Sequence, residues 1–178
     1  MSEITVEADM EAGVEARMNE LQRVLIGNGV GAPPAHVLEA VDEAMAHRRH
    51  PGAPHSIYEE VWHLAFWQEL SLDWVAGRLT PYPEHASAGF PDSTAEAWMA
   101  VRERFLRGAA QTAEIAGDAS RLQASVVCLS REPDASRTMT AREQIEGIAA
   151  HNAYHLGRVV LLRQLFGAWP PPSGGDTW

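Results

Sequence analysis

His151 and His155 stand four residues apart in a segment, 142–166, whose apolar residues recur at helical spacing. On a helix that spacing puts both imidazoles on one face, about 6 Å apart along the axis, where they can converge on one metal ion. Two nitrogens make half a site, and a third ligand must come from another segment. His63 is the candidate: it sits among Val61, Trp62, Leu64 and Phe66, where a buried imidazole without a partner costs free energy. Three neutral imidazoles leave a divalent ion its full charge and at least one open position, the arrangement of a catalytic site. Such a ligand set takes zinc or nickel, with iron or manganese as alternatives. Taken without His63, the 151/155 pair reads equally well as one core and one solvated histidine. The histidines at 36, 47, 50, 55 and 85 fall near helix ends or in loops and read as solvated or capping residues.

The elements that must hold these histidines are helices. A first periodic stripe runs through Met10, Val14, Met18, Leu21 and Leu25 and stops at Gly27-Asn28-Gly29. A second segment, with Val37, Leu38, Val41 and Met45, runs from Pro33-Pro34 to His50-Pro51-Gly52 as one interrupted helix or two short ones. Three later starts share one device, a hydroxyl residue followed three positions on by Glu: Ser56 with Glu59, Ser93 with Glu96, Thr140 with Glu143. In this capping box the two side chains satisfy each other's unpaired amides. Gly77, Gly117 and Gly167 stand where those helices should end in left-handed caps. Segment 56–77 carries one stripe of Ile57, Val61, Leu64, Leu72 and Val75, beside another of His63, Trp67, Leu70 and Trp74. The stretch 78–92, rich in Pro, Gly and Ser, reads as a long crossover loop, a kind that is often functional. A third helix carries Trp98, Val101, Phe105, Ala109 and Thr112; residues 117–139 read as irregular, with a short extended piece at 125–129. The fold expected is all-α, a single four-helix-bundle domain over 1–178 with long crossover loops and a Pro/Gly-rich tail at 169–178.

Charge and composition narrow the function. A formal charge of −10, spread along the chain, repels phosphate backbones and anionic lipid, so neither nucleic acid nor membrane is an expected partner. No uninterrupted apolar span and no basic leader followed by an apolar run is present, which predicts a cytosolic protein. Cys128, the sole cysteine, rules out an intrachain disulfide and a Cys-rich zinc site, and reads as a small buried hydrophobe. All 14 basic residues are Arg, so lysine chemistry is excluded. Asn152, Ala153 and Tyr154 separate the paired histidines, so the Glu of the HExxH zinc proteases is missing. Glu60-Val61-Trp62-His63 matches the Glu-x-x-His of di-iron bundles, but Ile148 and Asn152 precede His151 and His155 where the second half would need Glu.

The stretch from His55 to Trp67, HSIYEEVWHLAFW, resembles the second-helix motif of the DinB/YfiT-like superfamily. His151-Asn152-Ala153-Tyr154-His155-Leu156-Gly157-Arg158, followed by Leu162-Arg163, resembles its C-terminal helix motif, and 169–178 is similar to the tail of some members. The resemblance implies a DinB-type four-helix bundle, a divalent metal on His63, His151 and His155, and a homodimer. It also implies activities such as transfer or isomerisation dependent on a low-molecular-weight thiol. Where the family usually has Gln after the Gly of the last motif, this chain has Arg158, either a contact for an anionic substrate or a salt-bridged residue at the bundle rim.

Three functions follow as alternatives. A metal-dependent transferase would activate a small thiol and present it to an electrophile held between Trp67, Trp74 and Tyr154. Glu59 or Glu60 would then orient the His63 ring or act as a base. A metal-dependent hydrolase would activate water and require one of those glutamates as general base. A non-catalytic bundle would hold the metal or a small ligand for structure or sensing.

Overall fold

The computed structural model describes residues 18–27, 31–92, 96–132 and 135–174. Met10 and Val14 of the first stripe, Asn28-Gly29 and Ser93 lie outside them. Among the described residues no helix is long and apolar enough to cross a membrane.

The chain runs α1 (Glu20–Ile26), α2 (Pro34–Val37), α3 (Glu43–His47), α4 (Ile57–Val75), α5 (Trp98–Ala116), α6 (Ala119–Leu122), β1 (Ser125–Leu129), β2 (Ser136–Thr140) and α7 (Ala141–Leu165). The protein is a helical bundle in which α4 packs against both α5 and α7, while α1 lies across α5 and α7. The second segment is two short helices, and Ala40, with φ 54°, turns the chain between them.

Capping boxes open α4 and α7 as their sequences require: Ser56 with Glu59 and Thr140 with Glu143 bond reciprocally. Helix α5 departs from expectation. It begins at Trp98, its N-cap Ala97 offers no side chain, and the Glu96 carboxylate pairs with Arg104 instead. The Trp98 amide is satisfied by the Glu43 carboxylate at 3.2 Å, a long-range substitute for a local cap. Gly77 and Gly167 take the left-handed conformation expected of C-caps, with φ 78° and 71°. Gly117 does not, with φ −76°, and its smallness serves packing, since a Cβ there would come 2.7 Å from the Gln22 amide.

The main core joins Ile57, Val61 and Leu64 of α4 to Trp98, Val101 and Phe105 of α5 and Val159 and Leu162 of α7, all buried. One polar girder crosses it. Gln68 of α4 donates to the Phe105 carbonyl (2.9 Å) and accepts from Asn152 of α7 (2.8 Å), so a single buried amide ties the three long helices together. Gly108 leaves the room for that amide; a Cβ there would run into it. Asn152, which occupies a carboxylate position of the di-iron pattern, is a structural residue here.

The extended piece expected at 125–129 is β1; the rest of the segment expected to be irregular contains the short α6 and β2, which pairs antiparallel with β1, Val126 with Met139 and Cys128 with Arg137. Val126 and Cys128 face inward and pack with Leu70, Trp74 and Ala141, covering the lower half of the α4/α7 groove. Cys128 is buried, as expected of a small hydrophobe; burial pushes its thiol pKa up, and the thiol donates to Gln144 Oε1 at 3.3 Å.

Candidate metal centre

His63 projects from the middle of α4, and His151 and His155 project from successive turns of α7 toward it. One ligand nitrogen from each lies within 4.8 Å of the others, so the three histidines suit a single ion. The cluster sits where α4 and α7 pack face to face, with His63 and His155 buried and His151 half-buried.

The outer nitrogens fix the inner ones. His63 Nδ1 lies 2.6 Å from the Gly89 carbonyl, which can only accept, so that nitrogen carries the proton and Nε2 carries the lone pair. His155 Nδ1 lies 2.6 Å from Glu60 Oε2, which assigns the same tautomer. This is the arrangement that orients metal-binding histidines and makes them more basic ligands. His151 Nδ1 is buried without a partner among the described residues, leaving its orientation to packing alone.

His63 Nε2 and His151 Nε2 approach to 3.2 Å. Two lone pairs at that distance repel unless a proton or a cation lies between them. Two imidazole nitrogens on one tetrahedral zinc ion stand about 3.3 Å apart, given bonds of roughly 2.0–2.1 Å. The donor set therefore fits a divalent metal in type, number and spacing. Burial lowers the His63 and His151 pKa values to about 4, so both rings are neutral near pH 7 and present lone pairs instead of charge.

The crossover loop closes the upper side. Within it a 3-10 turn, Ala86–Gly89, carries the Gly89 carbonyl to His63, and Phe90 stacks on the His63 ring at 4.1 Å. His55 stacks on the other face of Phe90 at 3.9 Å. Gly89 must be glycine for contact reasons: a Cβ would sit 2.7 Å from Trp67 Nε1 and 3.3 Å from His63 Nδ1. Trp67 presents an edge to His63 and His151, with ring centroids 6.1 and 6.4 Å away.

The residue family model for the DinB superfamily matches positions 35–159, more than two thirds of the chain. This chain belongs to the DinB superfamily. No curated protein matches it. The matched span contains all three histidines, the whole of α4 and most of α7.

Several expected roles move once the DinB-type bundle is in view. Glu60, not Glu59, reaches the cluster, and it orients His155 instead of His63. Its carboxylate is fully buried, and Oε1 forms an ion pair with Arg158 Nη2 at 2.9 Å that lacks hydrogen-bond direction. Glu59 is occupied at the amino end of α4, bonded to the Ser56 amide and to Arg49. Arg158 thus neutralises a buried carboxylate behind His155, and its guanidinium also lies 5.9 Å over the Tyr154 ring. Tyr154, 63% exposed, sets its ring edge-on to His155 at 4.9 Å on the rim of the cluster. Trp67 stands beside the histidines, but Trp74 does not: its indole donates to the Thr80 carbonyl and faces Tyr82 under the hairpin. The sequence reading missed Gly89 and Phe90. The only signal for them was an unusually long loop containing a glycine.

Proposed function

We propose that this DinB-superfamily protein holds one divalent ion on His63, His151 and His155 and transfers a low-molecular-weight thiol to a small electrophile. The observation that carries the metal part is the 3.2 Å approach of two Nε2 atoms, together with Nδ1 protons committed to Gly89 and Glu60 on two of the three rings. When bound, the ion supplies the Lewis acidity that keeps a small thiol ionised at neutral pH. The protein's residues do the rest. His63, His151 and His155 are the ligands; Gly89 and Glu60 hold two of them in register; Phe90 and Trp67 wall the cluster and exclude water. Tyr154 lies at the rim, where an electrophile would enter. The thiol proton leaves to solvent, a carbon–sulfur bond forms, and the leaving group departs with its electron pair.

The occupancy of both glutamates favours this reading over hydrolysis. A hydrolase needs a free carboxylate beside the open position. Glu60 is locked between His155 and Arg158, and Glu59 caps α4. Thiol attack needs no protein base once the thiol is ionised. The proposal includes a cytosolic homodimer: Leu161 and Leu165, half-exposed one turn apart on α7, offer an apolar strip to a second copy, which sedimentation velocity would test.

The test begins with elemental mass spectrometry of tag-free protein. About one divalent ion per chain is expected in wild type, lost in His63→Ala and His155→Ala. Wild type loaded with that metal should consume thiol and form a thioether across a panel of activated electrophiles, with no turnover when thiol is omitted. An ion retained at full occupancy in either variant refutes the site. Turnover without thiol refutes the transferase and restores the hydrolase. A metal-loaded protein that reacts with nothing, whose melting temperature falls sharply in His63→Ala, points to the non-catalytic bundle.

A further inference from the structure

The groove between α4 and α7 does not end at the histidines. Seven residues along α4 from Trp67, about 10 Å down the axis, Trp74 forms one wall of an open cavity of about 490 Å³ bordered by Tyr82 of the crossover loop and by the hairpin. Trp67 stands between the cavity wall and the histidines, its ring 5.2 Å from Tyr82 and edge-on to His63 and His151. A second hollow of about 450 Å³ shares Tyr82 and the β1 end with the first and extends it outward.

Two arginines line this cavity, and one stands where the sheet pattern calls for an apolar residue. Cys128 and Arg137 are directly paired across the hairpin, so both lie on the same face. The other residues of that face, Val126, Cys128 and Met139, are buried or half-buried against the bundle. Arg137 shares that face but, unlike those neighbours, is exposed, a cation beside the open cavity. Arg131, from the turn, places its guanidinium 6.0 Å over the Tyr82 ring. Among the described residues neither guanidinium forms an ion pair; the contact Arg137 makes is with the Met139 sulfur at 4.0 Å. Glu143 acts on Arg137 from beyond ion-pair distance, so both guanidiniums keep N–H donors that an anionic occupant of the aromatic cavity would satisfy. Glu132 also borders the cavity and opposes that occupant in part.

We infer that this cavity is a carboxylate subsite: Arg131 and Arg137 bind a carboxylate on a small molecule whose apolar body lies along Trp74 and Tyr82. Its reactive end then reaches the histidine cluster past Trp67. The subsite takes over the anion-binding role that the sequence suggested for Arg158, whose charge is engaged by Glu60. The inference builds on the thiol-transfer reading only in assigning the bound molecule as substrate; the subsite itself is independent of the metal.

The test is fluorine NMR of 4-(trifluoromethyl)phenylacetate, with the corresponding amide as uncharged control, added to the full chain with zinc and again after chelation. The acid should bind in both states and weaken as salt is raised, while the amide binds at least tenfold more weakly. The double variant Arg131→Ala/Arg137→Ala should lose at least tenfold in affinity with an unchanged melting temperature, since both side chains are exposed. Glu132→Gln should tighten binding, and His63→Ala should leave it unchanged. Equal binding of acid and amide, no binding of either, or binding that persists in the arginine variant overturns the subsite. None of those results bears on thiol consumption, which tests the function separately; a subsite that survives while thiol transfer fails would leave this inference standing alone.

Discussion

Replacing Glu60 by Gln isolates the link that the site depends on most. The substitution keeps the shape of a fully buried side chain and removes one negative charge held 2.6 Å from His155 Nδ1 and 2.9 Å from Arg158 Nη2. A carboxylate behind a metal-binding histidine fixes its tautomer and strengthens the ligand. Losing such a partner typically lowers metal affinity 10–100-fold, or about 1.4–2.8 kcal/mol. The upper half of that range is expected here. Gln can still accept from Nδ1 through its oxygen, but it can also turn its amide nitrogen toward the ring, which would move the proton to Nε2 and remove the lone pair from the ion. Arg158 would also be left as an unbalanced cation near the centre, which further disfavours a divalent metal. The assay is competition against a chromogenic zinc chelator, with far-ultraviolet circular dichroism to show that the helices persist. In Arg158→Gln the cation is lost and the carboxylate kept, so affinity should hold or rise. An affinity within threefold of wild type in Glu60→Gln, with the fold intact, would refute the argument that Glu60 holds His155 as a ligand. A loss of equal size in both variants would show that the pair acts on the fold instead of the metal.

Three further outcomes follow from the same geometry. Gly89→Ala should displace either Trp67 or the crossover loop, because the new methyl cannot share space with the indole nitrogen 2.7 Å away; zinc affinity should drop at least tenfold by the same chelator competition, with helix content unchanged. In chelated protein, stability should fall as pH drops from about 6.5 toward about 4. The folded pKa of His63 and His151, about 4, lies below the unfolded value of 6.5, so in that window the unfolded chain binds protons that the folded chain refuses; urea midpoints at several pH values should show the decline, a plateau above the window, and a steeper fall when zinc is present. Gln68→Ala should leave the Asn152 side-chain amide without its acceptor in the core, while the Phe105 carbonyl keeps its bond inside α5; an unmet buried group of that kind costs about 1–3 kcal/mol, which equilibrium urea denaturation would measure.

The parts of the molecule legible in the sequence are those governed by local rules. Capping boxes and periodic stripes locate α4 and α7 closely, because an N-cap and its N3 partner are three residues apart and fold together wherever the rest of the chain goes. The pair His151 and His155 is legible for the same reason. The start of α5 is not, because Trp98 is capped by Glu43, 55 residues earlier. The hairpin is half legible: β1 falls on the extended piece read at 125–129, whereas β2 reads Ser136-Arg137-Thr138-Met139-Thr140, where the arginine beside Cys128 interrupts the alternation that would mark a strand. At the metal centre, helical spacing sets Glu60 one turn before His63 on the same face of α4. Which histidine its carboxylate meets depends on how α4 and α7 cross, and that contact spans 95 residues. The Gly89 carbonyl is further from reach still, being a backbone atom in a loop whose composition says only that it is not a helix.

Arg158 alters the charge that Glu60 presents to the histidine cluster. A neutral amide in that position would leave the Glu60 charge acting undivided on His155 and, through it, on the ion. With Arg158 at 2.9 Å, part of that negative charge is cancelled within the protein, and the centre stays more electropositive. A more electropositive centre stabilises an anionic sulfur more and releases it less readily as a nucleophile, because nucleophilicity falls as thiol pKa falls. Under the thiol transfer proposed above, a chain tuned this way suits an electrophile reactive enough to be attacked by a weakly basic thiolate. If so, Arg158→Gln should raise the pH at which thiol consumption reaches half its maximum and increase the limiting rate with poor electrophiles. A pH profile that stays put in Arg158→Gln, while zinc affinity behaves as above, would confine Arg158 to holding Glu60 in place.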